Sequence, residues 1–178
     1  MTIRNPKSEI QNTESDLPER ILGIDPSLTC TGYAVLERTS NGPVLREGGV
    51  VRSNAEKTLA QRICEIATGL REVMDQYLPK AIAIEQVYAM VKNPQTTIKM
   101  AHVRGAILMQ AAEREIPVLD YSPREIKKLL TGSGRAGKEQ VQFAVQRELG
   151  LKSILEPDDV ADATAVALCL YHSVKFAA

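Results

Sequence analysis

The chain has 178 residues, 44% of them hydrophobic and 25% charged, and its formal net charge is zero, which suits one globular domain with a sizeable core. No apolar run is long enough to cross a bilayer, and the polar N-terminus lacks a signal-peptide core, so a cytoplasmic location and no membrane partner are expected. Cys30, Cys64 and Cys169 are odd in number with no CxxC pair, and His102 and His172 are the only histidines, which argues against a disulfide frame, a zinc site or a histidine-rich metal centre.

Residues 1–19 are polar and aperiodic, and are expected to be a disordered extension before a domain spanning 20–178. "RILGID" reads as a short buried strand ending in Asp25, "PSLT" as a turn and "GYAVLE" as a second strand. The Asn-Gly pair at Asn41 marks a hairpin into a third strand, roughly Pro43 to Val51. "TLAQRICEIATGLREVMDQYL" is an amphipathic helix with Leu59, Ile63, Ile66, Leu70, Val73 and Tyr77 on one face. "KAIAIEQV" is a buried strand carrying Glu85. A second long helix, "NPQTTIKMAHVRGAILMQAAERE", has Pro94 near its start.

"IPVLDY" is the fifth strand. "SPREIKKLL" opens a helix with a capping box, Ser122 and Glu125, and Pro123 at its first position. A glycine-rich loop leads to a helix from about Gly137 to Leu149, ended by Gly150. The last helix begins in "EPDDVADATAVAL". Three early strands followed by alternating helices and strands predict an α/β chain with a mixed five-stranded sheet flanked by helices.

The start of the last helix is unusually acidic. Val160, Ala163, Val166, Ala167 and Leu170 recur at helical spacing and should face a core. Asp159 and Asp162 are three positions apart and share a face beside it. Helix-start acids complement the free amides there, which accounts for Asp158 as a cap and could extend to Asp159, but not to Asp162. Two half-buried carboxylates this close repel unless something positive lies between them. Asp25 and Glu85, at the ends of two strands, are further oxygen donors in the position where open α/β sheets bind ligands. Four carboxylates without His or Cys favour two Mg²⁺ or Mn²⁺ ions over zinc, the usual clamp for attack on a phosphodiester.

Charge is unevenly distributed. No acid occurs between Gln86 and Ala112, where Lys92, Lys99 and Arg104 are basic. Arg124 to Lys152 holds Arg124, Lys127, Lys128, Arg135, Lys138, Arg147 and Lys152 against three acids. These segments read either as a phosphate-binding surface or as ordinary solvated helix faces.

Five separated blocks, "ILGIDPSLTCTGYAVL", "AIAIEQVY" with "KNPQT", "HVRGAIL", "YSPREIKKLLTGSGRAGKEQV" and "DDVADATAVAL", together resemble the RuvC family of bacterial Holliday junction resolvases. The resemblance runs in order from about Ile21 to Ser173. It implies a ribonuclease H-like fold, a homodimer, and Mg²⁺-dependent paired nicks in four-way DNA junctions, leaving 5′-phosphate ends that can be religated. It also implies the branch-migration partners RuvA and RuvB.

Carried over by position, the family's metal-binding acids fall on Asp25, Glu85, Asp159 and Asp162; helix geometry alone leaves Asp158 open beside Asp159. The functional lysines fall on Lys127 and Lys138, with Lys128 beside them as a solvent-facing charge. Tyr88 takes a position that is usually aromatic, suited to stacking on an unpaired base or to plain packing. Lys92, Arg104, Lys128 and Arg135 are further candidate DNA contacts. Ser27 replaces the glycine of the family's "GIDPG", which puts the geometry of that turn in question.

Ile98, Ala101, Gly105, Leu108 and Ala112 repeat on a seven-residue pattern and could pack on a second copy or on the chain's own sheet. The resemblance favours the second copy.

"GSGRAGKE" from Gly132 fits the start of a P-loop, but it follows a helix, and Glu139 stands where Ser or Thr should reach Mg²⁺. An actin-like ATPase would need a second domain. Two rival functions keep the fold: a ribonuclease H-like nuclease with another substrate, and a DNA-binding module with a dead site.

Overall fold

The computed structural model describes residues 19–87 and 94–176. The extension up to residue 18, together with Tyr88 and Lys92, lies outside the described residues. The elements are β1 (Arg20–Asp25), β2 (Cys30–Thr39), β3 (Gly42–Arg52), α1 (Leu59–Tyr77), β4 (Ala81–Glu85), α2 (Pro94–Glu113), β5 (Val118–Tyr121), α3 (Pro123–Thr131), α4 (Lys138–Glu148) and α5 (Asp158–Phe176).

The five strands form one mixed sheet in the order β3-β2-β1-β4-β5. β1 pairs antiparallel with β2 and parallel with β4, and β5 continues the parallel half. This is the arrangement predicted from the early hairpins and the later helical crossovers.

Strand alternation sorts side chains to the two faces. Leu22, Ile24, Ile82 and Ile84 pack with α1 and α2 through Ile66, Leu70, Val103 and Ile107. Ile21, Ala81, Ala83, Leu119 and Tyr121 face the other way, onto α5 with α3 and α4 behind it. Leu59 departs from the expected buried face of α1: it is 41% exposed, while Met74, one turn beyond Leu70, is buried.

α5 is enclosed on nearly every side. From Val160 to Tyr171 only Asp162 escapes full burial. Its close seat on the sheet depends on two glycines. A Cβ on Gly23 of β1 would lie 2.2 Å from the Ala163 carbonyl oxygen, and one on Gly32 of β2 would lie 2.0 Å from that of Asp159. Any larger residue at either position would lift the helix.

The turn after Asp25 needs no glycine. No positive φ occurs there, and Ser27 exchanges two bonds with Thr31, donating its N–H to Oγ1 at 3.1 Å and accepting the hydroxyl at its carbonyl at 2.6 Å.

Candidate active site

The register between β1 and β4 pairs Ile24 with Ile84. Asp25 and Glu85 therefore stand one step further along adjacent parallel strands. By alternation both project to the face that α5 covers. α5 arrives there N-terminus first, because Gly32, the cross-strand partner of Asp25, admits the backbone of Asp159. Three elements thus deliver Asp25, Glu85, Asp159 and Asp162 to one end of the sheet.

The electrostatics register that convergence. The carboxyl of Asp25 is pushed from 3.8 up to about 7, chiefly by burial and then by the charges of Glu85, Asp162 and Asp159, against the pull of Lys138. Burial also lifts Glu85 from 4.5 to about 7, with Asp162 adding repulsion and Lys127 opposing it. Asp162 is raised as well, by burial, with Lys138 opposing.

The lysines come from the two outer helices. Pro123 and the Ser122–Glu125 capping box fix the start of α3 directly after β5, which sets Lys127 beside Glu85. Lys138 opens α4. Its Nζ lies 2.9 Å from Asp158 and 3.3 Å from Asp162, and the bond to Asp158 holds its pKa above the ordinary lysine value. Glu85, Lys127, Lys138 and Asp162, with Pro123, Ile126 and Val141, line an open pocket of about 260 Å³.

Some residues sit otherwise than expected. Asp158 is the first residue of α5, not a cap; its carboxylate turns across to α4, accepting from Lys138 and from Gln142 at 2.9 Å, which lowers its pKa. Lys128 and Arg135 are exposed on the α3–α4 side.

Arg104 is turned inward and not towards solvent. Its side chain is 17% exposed and ion-paired with Asp120, and it donates to the Glu85 carbonyl at 3.4 Å. The cause is strand alternation, which points Asp120 towards the α1–α2 face.

Sequence reasoning also missed Cys30. Its thiol donates to Asp159 Oδ2 at 3.4 Å and receives an N–H from Arg52 at the same distance. Only the adjacency of Cys30 to Gly32, which meets Asp159, could have hinted at this.

The donor set fits a hard divalent cation in chemistry and in charge, being all oxygen and mutually repelling. The arrangement is open: among the described residues no three His, Cys, Asp or Glu side chains are already gathered as a metal cage. Lys138 supplies the positive charge in contact with Asp162.

The family model for "Crossover junction endodeoxyribonuclease RuvC" matches residues 21–170. The chain belongs to the RuvC family.

A RuvC from Rhodopirellula baltica is 47% identical over 152 residues, covering 85% of each chain. Among solved structures, Thermus thermophilus RuvC superposes with a TM-score of 0.80 at 31% identity, over 88% of this chain and 96% of that one. The same protein in complex with a Holliday junction substrate gives 0.81 at 32% identity, with the same coverage. The yeast mitochondrial resolvase Ydc2, at 14% identity and a TM-score of 0.63 over 94% of this chain and 84% of that one, shares the fold alone.

The five-stranded mixed sheet with its flanking helices is thus the ribonuclease H-like RuvC fold, and the chain is a nuclease. The P-loop reading falls on topology: "GSGRAGKE" begins at the Gly132 C-cap of α3 and runs into α4, with no strand before it. No helix among the described residues is long and apolar enough to cross a membrane.

Proposed function

We propose that this chain resolves Holliday junctions as a cytoplasmic homodimer, each subunit making one of two paired nicks during recombination and repair. One observation supports the reading: in a RuvC-family chain, the charges of Glu85, Asp162 and Asp159 all bear on Asp25 at one end of the sheet, and Lys138 lies against Asp162. Asp25, Glu85, Asp159 and Asp162 would hold two Mg²⁺ ions, or Mn²⁺ in their place. Such ions would supply charge cancellation, a more acidic water and a clamp on both oxygens of the displacement.

The protein's own groups do the rest. Partial burial of Asp25 and Glu85 penalises their charged forms and makes both carboxylates eager for positive charge. Lys138 is held by Asp158 and Asp162 at the mouth of the pocket, where its ammonium meets the scissile phosphate and stabilises the charge that builds there. Lys127, on the wall beside Glu85, does the same from the second side. Lys128 and Arg135, exposed nearby, contact the DNA backbone, as does Lys92 on the segment between β4 and α2, while Tyr88 on that segment stacks on an unpaired base.

Dimerisation uses α2. Val103, Ile107 and Ala111 face the chain's own core, while Ile98, Leu108 and Met109 are exposed at 50%, 37% and 54%, and Ala101, Gly105 and Ala112 stand out with them. The seven-residue stripe looks outward, which supports packing on a second copy. A two-fold dimer places two sites on a four-way junction. RuvA and RuvB are the proposed partners. The proposed nuclease domain spans 20–178.

The test is cleavage of a labelled four-way junction beside a plain duplex, with Mg²⁺ or EDTA, by the wild type and by Asp162→Asn. Paired Mg²⁺-dependent nicks near the crossover, lost in the variant while junction binding persists, support the reading. Equal cutting of the duplex, or no cutting with either Mg²⁺ or Mn²⁺, overturns it.

A further inference from the structure

Among the described residues, Arg104 of α2 reaches the active-site end of the sheet. The parallel register of β4 and β5 pairs Ile84 with Asp120 and Glu85 with Tyr121. Tyr121 turns to the α5 side. By alternation Asp120 turns to the opposite face, where α2 lies.

Arg104 on α2 fills that corner. One guanidinium nitrogen pairs with the Asp120 carboxylate, and the other donates to the Glu85 carbonyl oxygen at 3.4 Å. The Gln86 N–H beyond it bonds to the Tyr121 carbonyl. The end of β4 is therefore held on one edge by the ladder to β5 and on its own carbonyl by Arg104. A strand-terminal carbonyl has no further residue of its own strand to fix it, so an anchored donor restricts it more than water would.

The same geometry makes Arg104 a poor phosphate contact. It is mostly buried, its fork is engaged, and Asp120 offsets its charge. Taking up a backbone phosphate would require opening the ion pair. The helix that holds it carries Ala101, Gly105 and Leu108 on the exposed face next to Arg104.

We infer that Arg104, oriented by Asp120, is a positioning residue for Glu85, fixing the strand end so that its carboxylate meets the cation that the other acids share. The inference rests on the reading of Glu85 as a metal-binding acid. Groups that orient a metal-binding side chain typically change affinity by about 10–100-fold when lost, and a misplacement of about 1 Å at a reacting centre costs about 10²-fold in rate.

The experiment uses the full chain and Mn²⁺ as the probe. Thermal unfolding is followed across a Mn²⁺ titration for the wild type, Arg104→Ala, Asp120→Asn, the double variant and Glu85→Gln. Junction affinity is measured in EDTA at several salt concentrations.

Arg104→Ala is expected to raise the Mn²⁺ concentration for half-maximal stabilisation about tenfold. Asp120→Asn should raise it less, in the same direction, and the double variant should be no worse than Arg104→Ala. Junction affinity and its salt slope stay at wild-type values, and cleavage by Asp120→Asn recovers at high Mn²⁺.

An unchanged Mn²⁺ requirement in both single variants overturns the inference. Weaker junction binding with a salt slope smaller by about one makes Arg104 a phosphate contact instead. Should Arg104→Ala fail to fold, Asp120→Asn decides alone, since that carboxylate is 43% exposed and its loss is tolerable. If Glu85→Gln responds to Mn²⁺ like the wild type, the reading of Glu85 itself falls; if it loses the response while the Arg104 and Asp120 variants keep theirs, only the inference falls.

Discussion

Asp25→Asn removes a carboxylate whose charge is opposed first by burial and then by three other acids, so the metal-free variant should be more stable than the wild type at pH 8. Folding lifts the Asp25 carboxyl from 3.8 to about 7. An acid whose pKa rises on folding stabilises the fold only while protonated; that contribution is present below 3.8 and is lost as pH climbs to about 7. At about 1.4 kcal/mol for each tenfold change in proton affinity, the wild type gives up about 4 kcal/mol across that window. Asparagine has no such loss. Because the asparagine amide must still be desolvated there, a net gain of about 2–4 kcal/mol is expected, or a Tm rise of about 4–16 °C for a domain of this size.

The assay is thermal unfolding of both proteins in EDTA at pH 8 and pH 5. The gain should fall below half at pH 5, where most of the window has not been crossed. Saturating Mg²⁺ at pH 8 should erase it, because the cation binds and stabilises the wild type. Equal Tm values at pH 8 in EDTA, or a gain that does not change with pH, would show that these acids are not held against one another.

Three further outcomes are expected. Gly32→Ala forces a Cβ to within 2.0 Å of the Asp159 carbonyl; lifting α5 should cost about 2–3 kcal/mol in urea unfolding and weaken Mg²⁺ activation, whereas Gly105→Ala, whose Cβ meets nothing, should leave stability intact. Asp159→Asn should abolish cleavage, while Asp158→Asn, exposed and bonded only to α4 side chains among the described residues, should keep activity within a few-fold; the reverse ranking in a junction-cleavage assay would exchange their roles. Lys138→Met should lower single-turnover cleavage about 10²–10³-fold with junction affinity nearly unchanged, and a loss confined to affinity would place Lys138 on the DNA backbone instead.

Much of this was legible in the sequence because it follows from period. The short continuous apolar runs in "RILGID" and "AIAIE" predict two buried strands ending in acids, and the capping box at Ser122 predicts where α3 starts, hence where Lys127 falls. The hairpins and crossovers predict the mixed sheet. What was illegible depends on side chains meeting across elements. Asp158 looks like a cap until α4 brings Lys138 and Gln142 against it. Arg104 looks like a surface charge until the register of β4 and β5 turns Asp120 towards it. Leu59 fits the apolar face of α1 by spacing, yet stays exposed at the helix start. The glycines at Gly23 and Gly32 read as ordinary strand residues, since nothing local announces that a helix will lie on them.

The enclosed position of α5 bears on the order of synthesis. A ribosome delivers all five strands before it delivers this helix, so a growing chain carries one apolar sheet face with no cover. It also lacks Asp159 and Asp162. Until α5 emerges, the nascent protein has neither a finished core nor a complete set of acids. If those acids act as proposed, the nuclease is inert until α5 has docked, and a chain broken off before α5 is a substrate for proteases and not a stray nuclease.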